Sequence, residues 1–318
     1  MRLLLWSFLL APAWAQAPAP FRALDRQLPA AVRAFHAELP GPNLAWVVFV
    51  RPGPDAQVRT LGSDTKAGKE AMTSMARKAG ALVAINTVYF NTKSEPCRVV
   101  GWLVAGGQEL SPPTRAIERN GRSLPVARAA FALDRQHGME FGWALGTDQG
   151  VRRLLSPWDG QAAAASREAG AWHPCESALS AGPMLWLGGV PVNSRKEERL
   201  FENEDVRHPR TALGRTRDGQ LVWVVVDGRY KDRRSVGMSI AELTQLMGSL
   251  GCVDALNLDG GGSSTLVIGG ELINRPEGGT FERPVPAGLG VFVPGFQPAA
   301  SQPTASQPAA SRPARGGR

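Results

Sequence analysis

Cysteine, histidine and tyrosine are scarce in this chain, whose 318 residues include three, four and two of them, respectively. The cysteines have neither the spacing of a zinc motif nor that of a CxxC redox pair, which argues against a small metal-binding domain and a thiol oxidoreductase. An oxidising compartment would allow one disulfide. Cys97 and Cys175 are the predicted pair because both lie in loop-like sequence, and Cys252 is predicted to be a buried thiol.

The excess of positive charge is also modest once the charged residues are located along the chain. The net charge is +8, but four of the 36 bases are Arg2 and three arginines of the last 24 residues, and all 28 acidic residues lie between positions 25 and 282. No basic run has interleaved aromatic residues, which argues against nucleic-acid binding. The 43% of apolar and 20% of charged residues are typical of a globular protein.

No apolar run is long enough to cross a membrane as a helix, which takes about 20 residues. Residues 1–15 combine a positive start, an apolar run and a small-x-small pattern, which together predict a signal peptide. The mature chain is then expected to begin near Gln16 and to be exported, to the periplasm or the extracellular space. Residues 295–318 are rich in Pro, Ala and Ser and are predicted to form a disordered tail.

Between these ends, the sequence predicts an α+β fold with a mixed, strand-rich sheet and peripheral helices. Residues 16–43 are predicted to form a helix and a linker, because apolar residues recur there at helical spacing. Residues 44–294 form the predicted main domain, in which short apolar strands alternate with glycine-containing turns. Two helices are predicted inside it, over 64–79 and 239–250, and the second begins with the spacing of a capping box.

A strand, a helix and a second strand over residues 221–259 form the most informative unit. The first strand ends in Asp227 and Gly228, and the second ends in Asp259 and Gly260. This length predicts a parallel, right-handed crossover, in which both strands point the same way. The two carboxylates are therefore expected to meet at one edge of the sheet, where open sheets bind ligands.

The segment DGGGSST, residues 259–265, has more glycine than a hairpin requires. Consecutive glycines can adopt positive φ, which lets successive N–H groups converge on an anion. The predicted anion-binding residues are Gly260, Gly261, Gly262, Ser263 and Ser264. No lysine follows the glycines and no G-x-S-x-G spacing is present, so a P-loop and a nucleophile elbow are excluded. A tight turn between two strands is the alternative interpretation.

Residues 207–211, RHPRT, place two guanidinium groups and an imidazole close together in the sequence. Because the arginine fork matches phosphate and carboxylate groups, Arg207, His208 and Arg210 are candidate anion-binding residues. A solvated basic turn is the alternative. The acidic run over 197–205 is interpreted as a solvated face or a mobile loop, of which one member could reach into a cleft.

Several of these segments occur in the order typical of a known family. INTVYFN, SAGPMLWLGG, RHPRTALG, VVVDGR and ALNLDGGGSSTL resemble the phosphodiester glycosidase domain over about residues 82–293. That family includes the lysosomal uncovering enzyme, which removes N-acetylglucosamine from mannose 6-phosphate diesters, and exported bacterial proteins. Where the family usually has Asn-Gly-Gly-Phe-Phe, this chain has NTVYF at 86–90, and the loss of two glycines restricts that loop.

The resemblance implies hydrolysis of the bond between a sugar C1 and a phosphate oxygen. A phosphate leaving group is already a stable anion, so positive charge that follows the departing oxygen matters more than a proton. Arg210, Arg207, the amides of residues 260–262 and Arg229 are the residues predicted to supply that charge.

The other requirement is a carboxylate that shields, attacks or activates water against the oxocarbenium ion at C1. Asp259 is the first candidate and Asp227 the second, and a separation of about 5 Å would favour retention over inversion. His208 is predicted to shuttle a proton or to orient Arg210, and Asn86 to hydrogen-bond a sugar hydroxyl. The expected substrate is a sugar phosphate or an envelope polysaccharide.

Two other functions fit the sequence. The altered loop at 86–90 favours a non-catalytic carbohydrate-binding protein of the same fold. Alternatively, Asp227 and Asp259 could hold Ca²⁺ or Mg²⁺ in a metal-dependent hydrolase, although the clustered acidic loop of an EF-hand is missing. No other cofactor is predicted.

Overall fold

The computed structural model describes residues 18–158, 160, 168–200, 203 and 205–296. The predicted signal peptide lies outside the described residues, as does nearly all of the predicted tail.

Strands and two short α-helices make up the regular structure of the described residues. The first twelve strands are β1 (Arg22–Ala23), β2 (Val32–Leu39), β3 (Asn43–Val50), β4 (Gln57–Gly62), β5 (Val83–Asn86), β6 (Tyr89–Asn91), β7 (Arg98–Val100), β8 (Leu103–Ala105), β9 (Gln108–Ser111), β10 (Ala116–Arg119), β11 (Arg122–Pro125) and β12 (Arg128–Leu133). The other strands are β13 (Met139–Thr147), β14 (Gly150–Leu154), β15 (Glu168–Ala171), β16 (Ser177–Ser180), β17 (Met184–Leu187), β18 (Val190–Pro191), β19 (Arg210–Thr216), β20 (Leu221–Val226), β21 (Cys252–Asn257), β22 (Leu266–Ile268), β23 (Glu271–Leu272) and β24 (Ala287–Phe292). The helices are α1 (Met72–Ala79) and α2 (Ile240–Ser249), and Gly261–Ser263 form a turn of 3₁₀-helix.

Three large sheets and two hairpins organise these strands. The first sheet has the order β1-β2-β3-β20-β19-β21-β17-β18, the second β15-β14-β13-β12-β16-β8-β9 and the third β23-β22-β5-β24-β4, while β10-β11 and β6-β7 are the hairpins. Every pairing of neighbouring strands in the described part of the chain is antiparallel.

The predicted parallel strand–helix–strand unit is therefore wrong, and with it the mixed sheet. β19 lies between β20 and β21 and pairs antiparallel with both, so the two strands on either side of α2 are not neighbours. The intervening strand, β19, precedes β20 in the sequence, so it lies outside the segment 221–259 from which the parallel unit is predicted. The insertion brings the beginning of β19 beside the ends of β20 and β21, where Arg210 pairs with Val226 and Ala212 with Asn257.

Helix α2 itself forms as predicted, with its capping box. The Ser239 hydroxyl accepts a hydrogen bond from the Glu242 backbone N–H, and the Glu242 carboxylate accepts one from the Ser239 N–H. These bonds satisfy two of the donors that a helix start leaves unpaired. Helix α1 is shorter than predicted: it begins at Met72 and ends at Ala79, and Gly80, whose φ is 73°, caps its C-terminus.

The predicted N-terminal helix is wrong, because residues 32–39 form strand β2 and pair with β3. Phe35, Ala37 and Leu39 are buried whereas His36 and Glu38 are exposed, which is the period of two that a half-buried strand requires. Phe35 and Leu39 are four residues apart, a spacing that fits both the helical period and the period of two, so the tertiary partner decides between them.

The core lies between the sheets. Val48 and Trp223 of the first sheet, Phe131 and Trp143 of the second, and Ile85 of the third belong to one buried cluster. On its other face the first sheet packs against α2, and the third sheet packs against α1. Both faces of the central strands are therefore buried, which explains why β20 is apolar at every position.

The predicted disulfide is absent, since all three cysteines are free thiols. The Cys97 backbone N–H donates to the Ala67 carbonyl oxygen, whereas Cys175 packs against the cluster that contains Trp102 and Trp172. The two thiols thus belong to different surroundings, and loop-like sequence around each of them says nothing about their distance. Cys252 is buried, as predicted.

Candidate active site

A cavity of about 380 Å³ opens where the ends of β20 and β21 meet the beginning of β19. Its lining residues are Tyr89, His208, Arg210, Arg229, Asp259, Gly260, Gly261 and Arg283. One carboxylate thus shares the cavity with three guanidinium groups and an imidazole, so the site has the charge to bind an anion.

Asp259 lies two residues after the end of β21, and its backbone is hydrogen-bonded through both its N–H and its carbonyl oxygen. Its N–H donates to the Thr87 carbonyl oxygen at 2.8 Å, and its own carbonyl oxygen accepts from Asn86 Nδ2 at 2.6 Å. Burial raises the pKa of the Asp259 carboxyl to about 7, although a hydrogen bond from Ser263 and the charge of Arg283 act in the opposite direction. The carboxyl therefore exchanges its proton near neutral pH, which suits acid–base work.

His208 is oriented by an arginine. Arg229 donates to Nδ1 of His208 from Nε at 3.2 Å and from Nη2 at 2.7 Å. Arginine can only donate, so Nδ1 is an acceptor and the proton of the neutral imidazole is on Nε2. Nη1 of Arg229 in turn donates to Glu277 at 2.7 Å. The φ of Arg229 is 57°, a left-handed conformation that costs about 1–2 kcal/mol for a residue with a side chain.

The two arginines of the RHPRT segment have different positions. Arg210 lines the cavity, and its Nε and Nη2 donate to the carbonyl oxygens of Met238 and Val206. Arg207 is not among the lining residues. It donates instead to Glu242 at the start of α2 and to the carbonyl oxygens of Gly41 and Gly237.

The three glycines that follow Asp259 allow close packing. A Cβ on Gly260 would lie 2.8 Å from the Pro209 carbonyl oxygen, and one on Gly262 would lie 2.3 Å from Arg283 Nη2. Gly261 has a φ of 61°, and its N–H donates to the Pro209 carbonyl oxygen. This amide is thus already used, so the predicted convergence of amides on an anion does not extend to Gly261.

The serines of this segment face the protein interior. Ser263 and Ser264 are buried, Ser263 supports the Asp259 carboxylate, and the Ser264 hydroxyl has no hydrogen-bond partner among the described residues. Neither serine lines the cavity.

Asn86 is buried behind the site, where its side chain connects three segments of the chain by hydrogen bonds. Its Oδ1 accepts from Thr211 Oγ1 at 2.7 Å and from the Thr265 N–H at 3.0 Å, while its Nδ2 holds the Asp259 carbonyl oxygen. The side chain is 1% exposed and does not line the cavity. The structure therefore places Asn86 where it positions Asp259, and not where a sugar hydroxyl would lie.

Asp227 does not reach the cavity either. Its carboxylate is completely buried and accepts from Tyr230 Oη at 2.7 Å, from Asn274 Nδ2 at 2.8 Å and from the Arg275 N–H at 3.0 Å. Burial raises the pKa of this carboxyl, against the effect of these hydrogen bonds. The expected meeting of two aspartates in one cavity is thus not observed.

Tyr89, Arg283 and Glu277 were not identified from the sequence. Tyr89 belongs to the altered loop at 86–90 and donates from its hydroxyl to the Gly182 carbonyl oxygen at 2.7 Å. Neither Thr87 nor Val88 has positive φ, so both fit without glycine, and the cavity beside them stays open. Arg283 and Glu277 come from one loop after β23, and no local motif connects it with the other segments.

One member of the acidic run also differs from its interpretation as a solvated residue. Glu198 is completely buried, and its carboxylate accepts hydrogen bonds from Trp143 Nε1 at 2.9 Å, from the Ala129 N–H at 3.0 Å, from the Met184 N–H at 3.1 Å and from the Ser194 hydroxyl.

Within the part of the chain that the structure describes, no three His, Cys, Asp or Glu side chains cluster as metal ligands would. The helices found in those same residues are all too short or too polar to cross a bilayer.

Comparison with known proteins supplies the context of this site. The sequence model described as phosphodiester glycosidase matches residues 79–292. The N-acetylglucosamine-1-phosphodiester alpha-N-acetylglucosaminidase of Bos taurus is 27% identical over 218 residues, which are 63% of this chain and 34% of the relative. The Homo sapiens protein of the same name is 42% identical over 105 residues, or 29% and 20% of the two chains. This chain thus spans about a third or less of the length of these curated relatives.

Solved structures share the fold at low sequence identity. The catalytic domain of the zebrafish N-acetylglucosamine-1-phosphodiester alpha-N-acetylglucosaminidase, auto-inhibited by its pro-peptide, superposes with a TM-score of 0.58 at 19% identity and covers 85% of this chain and 87% of that one. A hypothetical protein from Synechocystis has a TM-score of 0.60 at 20% identity, with 88% and 64% covered. A Burkholderia pseudomallei protein described as exported has a TM-score of 0.55 at 21% identity, with 79% of this chain and 74% of that one covered.

Proposed function

Since the chain belongs to the phosphodiester glycosidase family, we propose that it hydrolyses the bond between C1 of a sugar and the phosphate of a phosphodiester. The observation that carries this proposal is the cavity, in which Asp259 is the one carboxylate among the described lining residues and shares the space with Arg210, Arg229 and Arg283. The names of the relatives make N-acetylglucosamine the sugar to test first.

The three arginines receive the phosphodiester. Charge develops on the oxygen that leaves C1, and fixed guanidinium groups stabilise it most when they need not move during the reaction. Arg210 is held by two backbone carbonyl oxygens, and Arg229 is held by Glu277 and His208. Both therefore meet the requirement of being positioned before substrate arrives.

Asp259 acts on the sugar side of the bond. As a carboxylate it stabilises the oxocarbenium ion at C1, either by attack or by activating water. Ordinary glycosidases need a second carboxyl group to protonate the leaving alcohol, whereas cleavage of C1–O in a phosphodiester releases a phosphate monoester, which leaves as a stable anion. A single carboxylate among the lining residues is thus sufficient for this class of substrate.

His208 completes the site through Nε2. Because Arg229 occupies Nδ1, the Nε2–H of the neutral imidazole is the atom that can donate to a phosphate oxygen. Such a donor assists departure of the phosphate without carrying a full positive charge of its own.

The same proposal includes export. The first 15 residues have the pattern of a signal peptide, and the Burkholderia pseudomallei neighbour is described as exported. A phosphodiester-linked glycan of the cell envelope is then the accessible substrate.

The decisive experiment offers the purified protein two N-acetylglucosaminides, a methyl phosphodiester at C1 and a 4-nitrophenyl glycoside. We expect release of N-acetylglucosamine from the phosphodiester and little from the aryl glycoside. In water enriched in ¹⁸O, the methyl phosphate product should contain no label, since the C1–O bond breaks and not the P–O bond. Folded protein that binds the phosphodiester without releasing sugar would instead support the carbohydrate-binding alternative, and loss of release with a chelator would support the metal-dependent one.

A further inference from the structure

A second cavity, of about 400 Å³, lies next to the candidate active site, because Tyr89 lines both. Its walls are largely apolar and are formed by Phe90, Val100, Pro183, Leu200 and Ile240. Among the described residues, the charged lining residues are Arg128 and Arg195, and none of the lining residues is acidic. The cavity therefore combines a hydrophobic surface with positive charge.

Arg128, at the beginning of β12, is the unusual member of this lining. It is 6% exposed, and among the described residues neither its Nε nor its Nη1 has a hydrogen-bond partner. A buried charge without a direct partner is costly, and each unmet donor adds to that cost. Burial accordingly lowers the pKa of the guanidinium, which the nearby Glu198 partly offsets.

Glu198 balances this charge only from a distance. Its carboxylate already accepts the four hydrogen bonds from Trp143, Ala129, Met184 and Ser194 described above, and no hydrogen bond joins it to Arg128. Because Glu198 already accepts four other hydrogen bonds, the Arg128 guanidinium can still bind an anion that enters the cavity.

We propose that the second cavity binds a carboxylate carried on a small apolar group, with the carboxylate against Arg128 and the apolar part against Phe90 and Val100. A singly charged group suits the buried Arg128 guanidinium, and the apolar walls make a doubly charged phosphate more costly to desolvate. We assign this ligand to a part of the substrate that lies on the side of Tyr89 away from Asp259. This assignment rests on the proposed function. The substrate is then an acidic one, with a carboxylate beside its phosphodiester.

Two probes that differ only in charge test the binding site without any turnover. The full-length protein is titrated with 3-phenylpropionate and with 3-phenylpropionamide, and binding is followed by calorimetry and by saturation-transfer NMR. We expect the carboxylate to bind at least about tenfold more tightly, as a charge-assisted hydrogen bond predicts. Equal affinities, or binding of neither probe, would overturn the proposal.

Variants locate the effect. Arg128→Met should abolish the preference for the carboxylate, whereas Arg135→Met, which removes an exposed arginine just beyond the other end of β12, should keep it. Val100→Trp fills the cavity and leaves Arg128 in place, so it provides the same test if Arg128→Met does not fold. A preference that survives both cavity variants would contradict the assignment.

The two proposals can fail separately. Asp259→Asn should bind 3-phenylpropionate as the unaltered protein does, because this binding needs no catalytic group. If the probe binds but no phosphodiester is hydrolysed, the site stands and its assignment to a substrate falls. If hydrolysis occurs and the probe does not bind, only the second cavity loses its role.

Discussion

Two strands of the first sheet are followed by the same Asp-Gly dipeptide, and the two aspartates have opposite surroundings. Asp227, after β20, is completely buried and accepts hydrogen bonds from Tyr230, Asn274 and the Arg275 backbone. Asp259, after β21, lines a cavity with three arginines. The comparison shows that the position at the strand end brings each carboxylate to the same edge, whereas the loops beyond it decide which one meets solvent.

The glycine after each aspartate has a packing role in both cases. A Cβ on Gly228 would lie 2.7 Å from the Gly237 Cα, and a Cβ on Gly260 would lie 2.8 Å from the Pro209 carbonyl oxygen. The Asp-Gly pattern therefore marks a tight turn against a neighbouring loop. It does not by itself mark a catalytic carboxylate.

The largest expected effect comes from making the same change at both positions. Asp259→Asn should lower turnover of the phosphodiester at least about 1,000-fold, because it removes the carboxylate that stabilises the oxocarbenium ion. Asp227→Asn should stay within about threefold of the unaltered protein once rates are divided by the folded fraction. Initial rates and circular dichroism of both variants make the measurement. Comparable losses of rate in the two folded variants would mean that Asp227 also takes part in the chemistry.

The second prediction reverses the comparison. Asp227→Ala leaves the buried Tyr230 and Asn274 donors and the Arg275 N–H without this acceptor, and it should lower the free energy of unfolding by about 3 kcal/mol. Asp259→Ala should change it much less, since Asp259 lies at a cavity and is itself destabilised by burial. Urea denaturation of the two variants gives the answer. Equal destabilisation would show that the site carboxylate is also a structural element.

Some of this arrangement follows from the sequence, and the reasons for the rest are physical. Asp259, Arg210, His208 and Arg229 were predicted as site residues from local segments, and all four line the cavity. The capping box of α2 was also predictable, because both of its partners are within four residues. Such local features can be predicted because the residues that form them are close together in the sequence.

The errors arose where a distant segment decides the outcome. The insertion of β19 between β20 and β21 leaves those two strands pointing the same way, but it replaces the expected parallel pairing between them with two antiparallel pairings. Two of the three partners of Asp227, Asn274 and Arg275, come from the loop after β23, and Arg283 enters the cavity from the same loop. Neither the burial of Asp227 nor that of Glu198 can be read from neighbouring residues, because polar partners from other strands make it possible.

The third prediction concerns Arg210, which begins the strand that separates the two aspartates. Arg210→Lys should lower turnover about 10- to 100-fold, because lysine keeps the charge but loses the planar fork that is held by the Met238 and Val206 carbonyl oxygens. The matched control is Arg207→Lys, a neighbour that does not line the cavity and should retain most activity. Comparison of kcat and KM for both variants tests this. Full activity in Arg210→Lys would show that Arg210 has only a packing role and takes no part in turnover.

The smallest expected effect is a shift in the pH dependence of kcat/KM. It distinguishes the two aspartates because a different arginine lowers the pKa of each. If the ionised Asp259 is the active form, kcat/KM should rise with pH around a midpoint near 7, the pKa to which burial raises this carboxyl. The charge of Arg283 lowers that pKa, so Arg283→Met should move the midpoint upward, by about one unit or less.

Arg275 provides the control for this shift, since its charge lowers the pKa of Asp227 and does not act on Asp259. Arg275→Met should therefore leave the midpoint of the profile where it is. A downward shift in Arg283→Met, or an equal upward shift in both variants, would mean that the titration belongs to another group. An upward shift in Arg283→Met alone ties the observed pH dependence to the carboxylate in the cavity and separates it from the buried one.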